Sequence, residues 1–162
     1  MKKMIASWQY FKYLCRHKWY VLIECYRLGI LWRGLVHDLS KFLPSEFFAY
    51  RNYFCGGYDH DMMPKPIDEA FDYAWHWHLK RNKHHWQWWI LKYDEGNLKV
   101  FEMPDVYRKE MLADWIGAGK AITGKNGVFE WYQSNKNKMV LAEYTRSWLE
   151  EQINGYRYFE AS

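Results

Sequence analysis

The stretch His37-Asp38-Leu39-Ser40-Lys41-Phe42 decides the reading of this chain. A histidine followed directly by an aspartate offers two metal ligands. On a helix they lie about 100° apart, so they can share one ion only if other helices supply the remaining ligands. The surrounding sequence supplies those helices. Upstream, Leu14, Val21, Leu22, Cys25 and Leu28 recur at helical spacing, Gly29 breaks the pattern, and a second helix runs through Leu31, Leu35 and Val36. Downstream, Pro44 and Ser45 open a helix to Phe54, with Ser45 as the expected N-cap and Glu46 favourable in the first turn. Gly56-Gly57 ends it, and a loop follows.

From Pro66 a further helix is expected, rich in acids at its start and ending near Asn82. Trp88–Tyr93 and Leu98–Phe101, around Asp-Glu-Gly-Asn, read as a small β-hairpin. Helices over about 105–121, 128–135 and 142–156 complete the chain, with Gly124 as a stop. The expected fold is therefore all-α, a mainly helical bundle with one hairpin near 88–101, formed as a single domain over residues 1–162.

Candidate ligands lie on these helices in a recurring order: His17, then His37-Asp38, then His78, His84 and His85, then Asp114 in Met111-Leu-Ala-Asp114-Trp-Ile-Gly117. An aspartate on an otherwise apolar helix face is costly to bury unless paired, which favours a ligand role for Asp114. His78 and His85 share a face if their helix continues, whereas His84 turns away; if the helix stops at Asn82, both His84 and His85 can reach a metal. Asp38 is the natural bridging carboxylate. Lys41, one turn on, could both assist catalysis and hold a phosphate oxygen; Arg81, with Lys80, and Asn82 are further substrate-binding candidates. Glu110, one turn before Asp114, could support a ligand or move a proton. His60, in Asp59-His60-Asp61, and His76 are expected to be ordinary.

Composition narrows the field. The 162 residues include 11 Trp, 14 Tyr and 9 Phe, an excess expected to build a core and pocket walls, with Trp75, Trp77, Trp86, Trp88 and Trp89 read as core. Mean hydropathy is −0.58, and no apolar run is long and charge-free enough to span a bilayer. Cys15, Cys25 and Cys55 are too few and too scattered for a disulfide framework, which suits a cytoplasmic protein. Residues 1–36 carry a net charge of +6, from Lys2, Lys3, Lys12, Arg16, Lys18, Arg27 and Arg33 against Glu24. Such a basic aromatic segment could suit nucleic acid, an anionic membrane or a phosphorylated molecule. Without a nucleic-acid signature, a solvated helix face is the preferred reading; no membrane partner is expected, and nucleic acid is not the favoured one.

The order His, His-Asp, His, distant Asp resembles that of HD-domain metal-dependent hydrolases. Two-metal members such as the HD-GYP phosphodiesterases have extra histidines where His78, His84 and His85 stand, and Lys41 resembles the lysine of their His-Asp-x-Gly-Lys string. Ser40 replaces its glycine and the GYP motif is missing, so a cyclic-dinucleotide substrate is not carried over. A closer likeness covers nearly the whole chain. His37–Phe42, Ala74-Trp75 through Lys80–Trp86, Glu110–Trp115 and Glu130-Trp131-Tyr132 are similar to a family of HD-like proteins found in bacteria and phages, which supplies no substrate. The resemblance implies one or two divalent transition metal ions (Mn, Fe, Co, Ni or Zn) and a metal-dependent phosphohydrolase acting on a small phosphorylated substrate such as a nucleotide. Its alternatives are a di-iron oxygenase on the same scaffold and a non-catalytic, metal-containing binding or regulatory protein.

Overall fold

Positive φ at Gly29 (+73°) ends the first helix, α1 (Lys2–Arg27), in a Schellman turn: Ile30 N–H donates to the Cys25 carbonyl and Gly29 N–H to that of Tyr26. In this computed structural model, which describes residues 2–56 and 68–160, the chain then turns through α2 (Leu31–Val36) and a 3₁₀ turn (Leu39–Phe42) into α3 (Pro44–Cys55). Helix α3 is capped two residues earlier than the expected Ser45. Proline occupies its first turn, Leu43 is the cap residue and makes no side-chain cap bond, so Ser45 is not the N-cap. Gly57, the Asp59-His60-Asp61 loop and Pro66 lie outside the described residues.

Helix α4 (Glu69–Arg81) is capped by Asp68, whose carboxylate accepts from Phe71 N–H, and ends at Asn82. A 3₁₀ turn over Trp86–Trp89 leads into the antiparallel pair β1 (Ile90–Lys92) and β2 (Leu98–Val100), with Ile90 opposite Val100. Then come α5 (Asp105–Thr123), α6 (Val128–Asn135) and α7 (Glu143–Glu160). Glu102 caps α7 from outside, accepting from the N–H groups of Tyr144 (3.1 Å) and Thr145 (2.8 Å). The fold is mainly all-α.

Helix α1 packs along α5, and its N-terminal half meets α3. The α1–α5 approach is set by Gly117: a Cβ there would stand 2.5 Å from Val21 Cγ2 and 2.9 Å from Val21 N. Apolar clusters flank this seam. Tyr10, Leu14, Tyr50 and Ala74 form one; Val21, Cys25 and Ala113 another; and the largest joins Met111, Leu112 and Ile116 of α5 to Val128, Tyr132, Leu149 and Ile153. His17 lies on α1 between Leu14 and Val21, so the metal-ligand candidates fall between apolar layers.

The aromatic expectation holds in part: none of the eleven tryptophans is fully buried, but Trp75, Trp86 and Trp89 pack against the apolar clusters. Trp77 and Trp88 are exposed, and Trp75, Trp86 and Trp89 are half-buried. The fully buried layers are built from Tyr, Met, Leu, Ile, Val and Ala, because helices approaching this closely leave little room for whole indoles.

Candidate metal centre

The His37-Asp38 pair does not lie within a helix. His37 is the C-terminal cap of α2, and Asp38 sits in the left-handed region (φ 53°, ψ 26°), the only non-glycine residue with positive φ among the described residues. That conformation turns the chain sharply, and both side chains point into one buried volume. The 3₁₀ turn then brings Lys41 back, with Nζ 2.6 Å from Asp38 Oδ2.

Around Asp38 the ligand atoms fall into two groups of four, each within 4.8 Å: Asp38 with His78, His84 and His85, and Asp38 with His17, His37 and Asp114. On one side, His78 Nε2 and His84 Nε2 stand 3.4 and 3.5 Å from Asp38 Oδ1. On the other, His37 Nε2 is 3.4 Å from Asp38 Oδ2 and 3.3 Å from Asp114 Oδ1, and His17 Nε2 is 3.2 Å from Asp114 Oδ1. Ligands bound about 2.1 Å from one metal lie about 3.0–3.4 Å apart, so these separations match the edges of a coordination shell. The Nε2 atoms of His17, His37, His78, His84 and His85 and Asp38 Oδ1 are buried without a hydrogen-bond partner, while Asp38 Oδ2 faces Lys41 Nζ. Such a set is costly unless a cation satisfies it, so the residues present fit a metal.

The outer nitrogens are held by acids. Glu110 Oε1 lies 3.1 Å from His37 Nδ1 and 3.4 Å from His84 Nδ1, while Arg33 Nε donates to its other oxygen at 2.7 Å. Both Glu110 oxygens are thus engaged, one by His37 and the other by Arg33. Glu46 likewise holds His78, at 2.9 Å from Nδ1, and is itself held by Ser40 and Arg81. A carboxylate only accepts, so Glu110 and Glu46 put a proton on Nδ1 of His37 and of His78 and reserve Nε2, once it carries no proton, for ligation. Arg81 therefore anchors Glu46, and Asn82 donates to Ser40 Oγ and the His78 carbonyl and lies 3.1 Å from His78 Nδ1, so both bear on the cluster through the outer side of His78. Glu46 and Arg33 escaped the sequence reading. The signal that could have found them is chemical: each metal-facing imidazole needs an acceptor at its other nitrogen.

His84 joins the cluster because α4 stops at Arg81, freeing both His84 and His85 from a helical face. His76 is exposed, and His60 lies outside the described residues.

The electrostatics are those of a site short of positive charge. Burial alone would lower the His37 pKa, but Asp38, Asp114 and Glu110 outweigh it and raise it to about 10. Burial opposes ionisation of Asp38 as well, yet His37, Lys41 and His78 hold it well below the ordinary carboxylate range; His17 and His37 do so for Asp114. Glu110, despite burial, is held near 2 by His37 and His84. His85 is pushed well down by burial and by the neighbouring His84 and His78, which keeps its lone pair available.

A cavity of about 630 Å³ reaches the cluster at His85 and Asp114. Its walls are Phe54, Trp75, Trp86, Trp115, Ile122 and Trp131, and no lysine or arginine lines it among the described residues.

No curated protein and no solved structure matches the chain. The profile of DUF5662, described as a family of unknown function, matches residues 6–155, which takes in every residue of the cluster. With nearly its whole length covered, the chain belongs to the DUF5662 family.

Proposed function

We propose that this protein is a metal-dependent phosphohydrolase of HD-like fold, holding two divalent transition ions that share Asp38 and acting on a small phosphate ester such as a nucleotide. The observation that carries the reading is the pair of four-residue ligand groups meeting at the two oxygens of one buried carboxylate. Bound cations would supply a water of lowered pKa and stabilise charge developing on a phosphoryl group.

The chain's own residues divide the remaining work. Glu110 and Glu46 fix the tautomers of His37 and His78, and Lys41 counters the charge of Asp38. Asp114, with 14% of its side chain exposed, and His85 are the cluster's members on the cavity wall, so substrate enters from that side. The aromatic walls suit a planar or apolar leaving group, and the lack of cations there favours a single phosphate over a polyphosphate chain.

The test is phosphate release from nucleoside monophosphates and aryl phosphates by protein loaded separately with Mn, Fe, Co, Ni or Zn, with Asp38→Asn as control. Metal-dependent turnover lost in that variant supports the reading; loaded protein with no turnover on the panel counts against it. The apolar cavity also favours a second reading, a di-iron oxygenase acting on an uncharged substrate. Oxygen consumption by iron-loaded protein, without hydrolysis, would establish that alternative.

A further inference from the structure

Every acid in residues 2–50 is buried and paired: Glu24 with Arg27 and Lys120, Asp38 with Lys41, and Glu46 with Arg81. The surface of α1, α2 and the 3₁₀ turn therefore shows cations without exposed carboxylates of its own, among them Lys3, Lys12, Arg16 and Arg27. The same surface is apolar to an unusual degree. Met4, Trp8, Phe11, Cys15, Trp19 and Tyr26 follow one another at intervals of three, four or seven residues, which places them in one stripe along α1, and all are exposed. Trp8 and Trp19 are 59% and 61% exposed, and Trp32 on α2 is 71% exposed.

The stripe continues onto its neighbours. Cys15, Trp19, Leu35 and Phe42 line one shallow groove, and the Phe11 and Phe42 rings meet edge to face with centroids 6.4 Å apart. Leu31, Leu39 and Leu43, close to Leu35 and Phe42 in the chain, are exposed as well. Single exposed apolar residues need no explanation, but a contiguous apolar face marks an interaction surface.

We propose that this face docks on an anionic lipid surface, with α1 lying in the plane of the interface. Charge selects the partner. A second copy of the chain would bring the same cations against these, with no exposed acid from residues 2–50 to meet them. Aliphatic Met4, Ile5, Leu31, Leu35, Leu39 and Leu43 gain nothing from nucleobases, whereas they suit the acyl boundary, with tryptophans at headgroup depth and Lys and Arg facing phosphates. The docking is peripheral, since no helix of the described residues is long and apolar enough to cross a membrane. It differs from the sequence expectation of no membrane partner and is independent of the reaction at the metal cluster.

The experiment is co-sedimentation of the full-length protein with vesicles of phosphatidylcholine alone and of phosphatidylcholine mixed equally with phosphatidylglycerol, followed also by tryptophan emission. Binding to the mixed vesicles only, weakened by salt and accompanied by a blue shift, is the expected result. Lys12→Glu/Arg16→Glu and Trp8→Ser/Trp19→Ser should each lower the partition coefficient at least about ten-fold, with circular dichroism and metal content unchanged. Three results would each overturn the proposal: no preference for anionic vesicles, a stable dimer in solution that Trp19→Ser dissociates, or tighter binding to a single-stranded oligonucleotide than to the vesicles.

Discussion

Glu110 Oε1 stands 3.1 Å from His37 Nδ1 with both side chains fully buried, and this contact aims the other imidazole nitrogen at Asp38 and Asp114. The same oxygen lies 3.4 Å from His84 Nδ1, so one residue of α5 stands against a candidate ligand in each group of four. Glu110→Gln keeps the volume but lets the amide present a donor to Nδ1. The expected result is a metal affinity about 10–100-fold weaker with the helical circular dichroism retained, read by titration calorimetry.

Gly117 fixes the distance between α1 and α5 one turn beyond Asp114, opposite Val21, which is one turn beyond His17. Gly117→Ala forces a methyl into contact with the Val21 backbone, an overpacking that costs about 1–3 kcal/mol. The melting temperature should fall by several degrees, and metal affinity should fall with it, because His17 and Asp114 are pushed apart. An unchanged melting curve would mean that the seam is looser than described.

Metal uptake should release protons. His37 in the metal-free protein is held protonated well above neutrality, with its pKa raised to about 10 by the surrounding carboxylates against the effect of burial. A ligating imidazole must be neutral, so binding expels that proton, and apparent affinity should rise with pH up to about 10. Calorimetry in buffers of different ionisation enthalpy measures the release directly. Binding with no proton release contradicts the placement of His37 as a ligand.

Helix α7 depends on an acid outside it. Burial tends to raise the Glu102 pKa, but hydrogen bonds from Thr145 Oγ1 and the Tyr144 and Thr145 N–H groups prevail and lower it. A carboxyl group lowered on folding contributes stability above its ordinary pKa and loses it as pH falls. Glu102→Gln should therefore cost about 1 kcal/mol near neutrality, with the difference from the parent narrowing in acid, as followed by denaturant unfolding.

Much of this was legible because the chain is punctuated. Gly29, Pro44, Pro104 and Gly124 act at helix ends through backbone geometry alone, and α6 occupies Val128–Asn135, the bounds its sequence suggests. The ligands were legible because His and Asp are conspicuous on apolar helices. Their supports were not: Glu46 reads as an ordinary first-turn acid, and Arg33 as one more cation in a basic segment. Glu46 meets a histidine 32 residues away and Arg33 a carboxylate 77 residues away, separations that leave no periodic trace. The left-handed turn at Asp38 is likewise hidden, since helical spacing runs almost unbroken to Val36 before it.

Asp38 is the one residue common to both groups of four, and asparagine tolerates its left-handed backbone, so Asp38→Asn removes the charge without disturbing the turn. The decisive measurement is the metal content of the parent and this variant after loading with Mn, Fe, Co, Ni or Zn and removal of free ions. The parent should retain metal and the variant should lose most of it from both groups. A parent that retains no metal, or a variant as fully loaded as the parent, would contradict the metal centre described above.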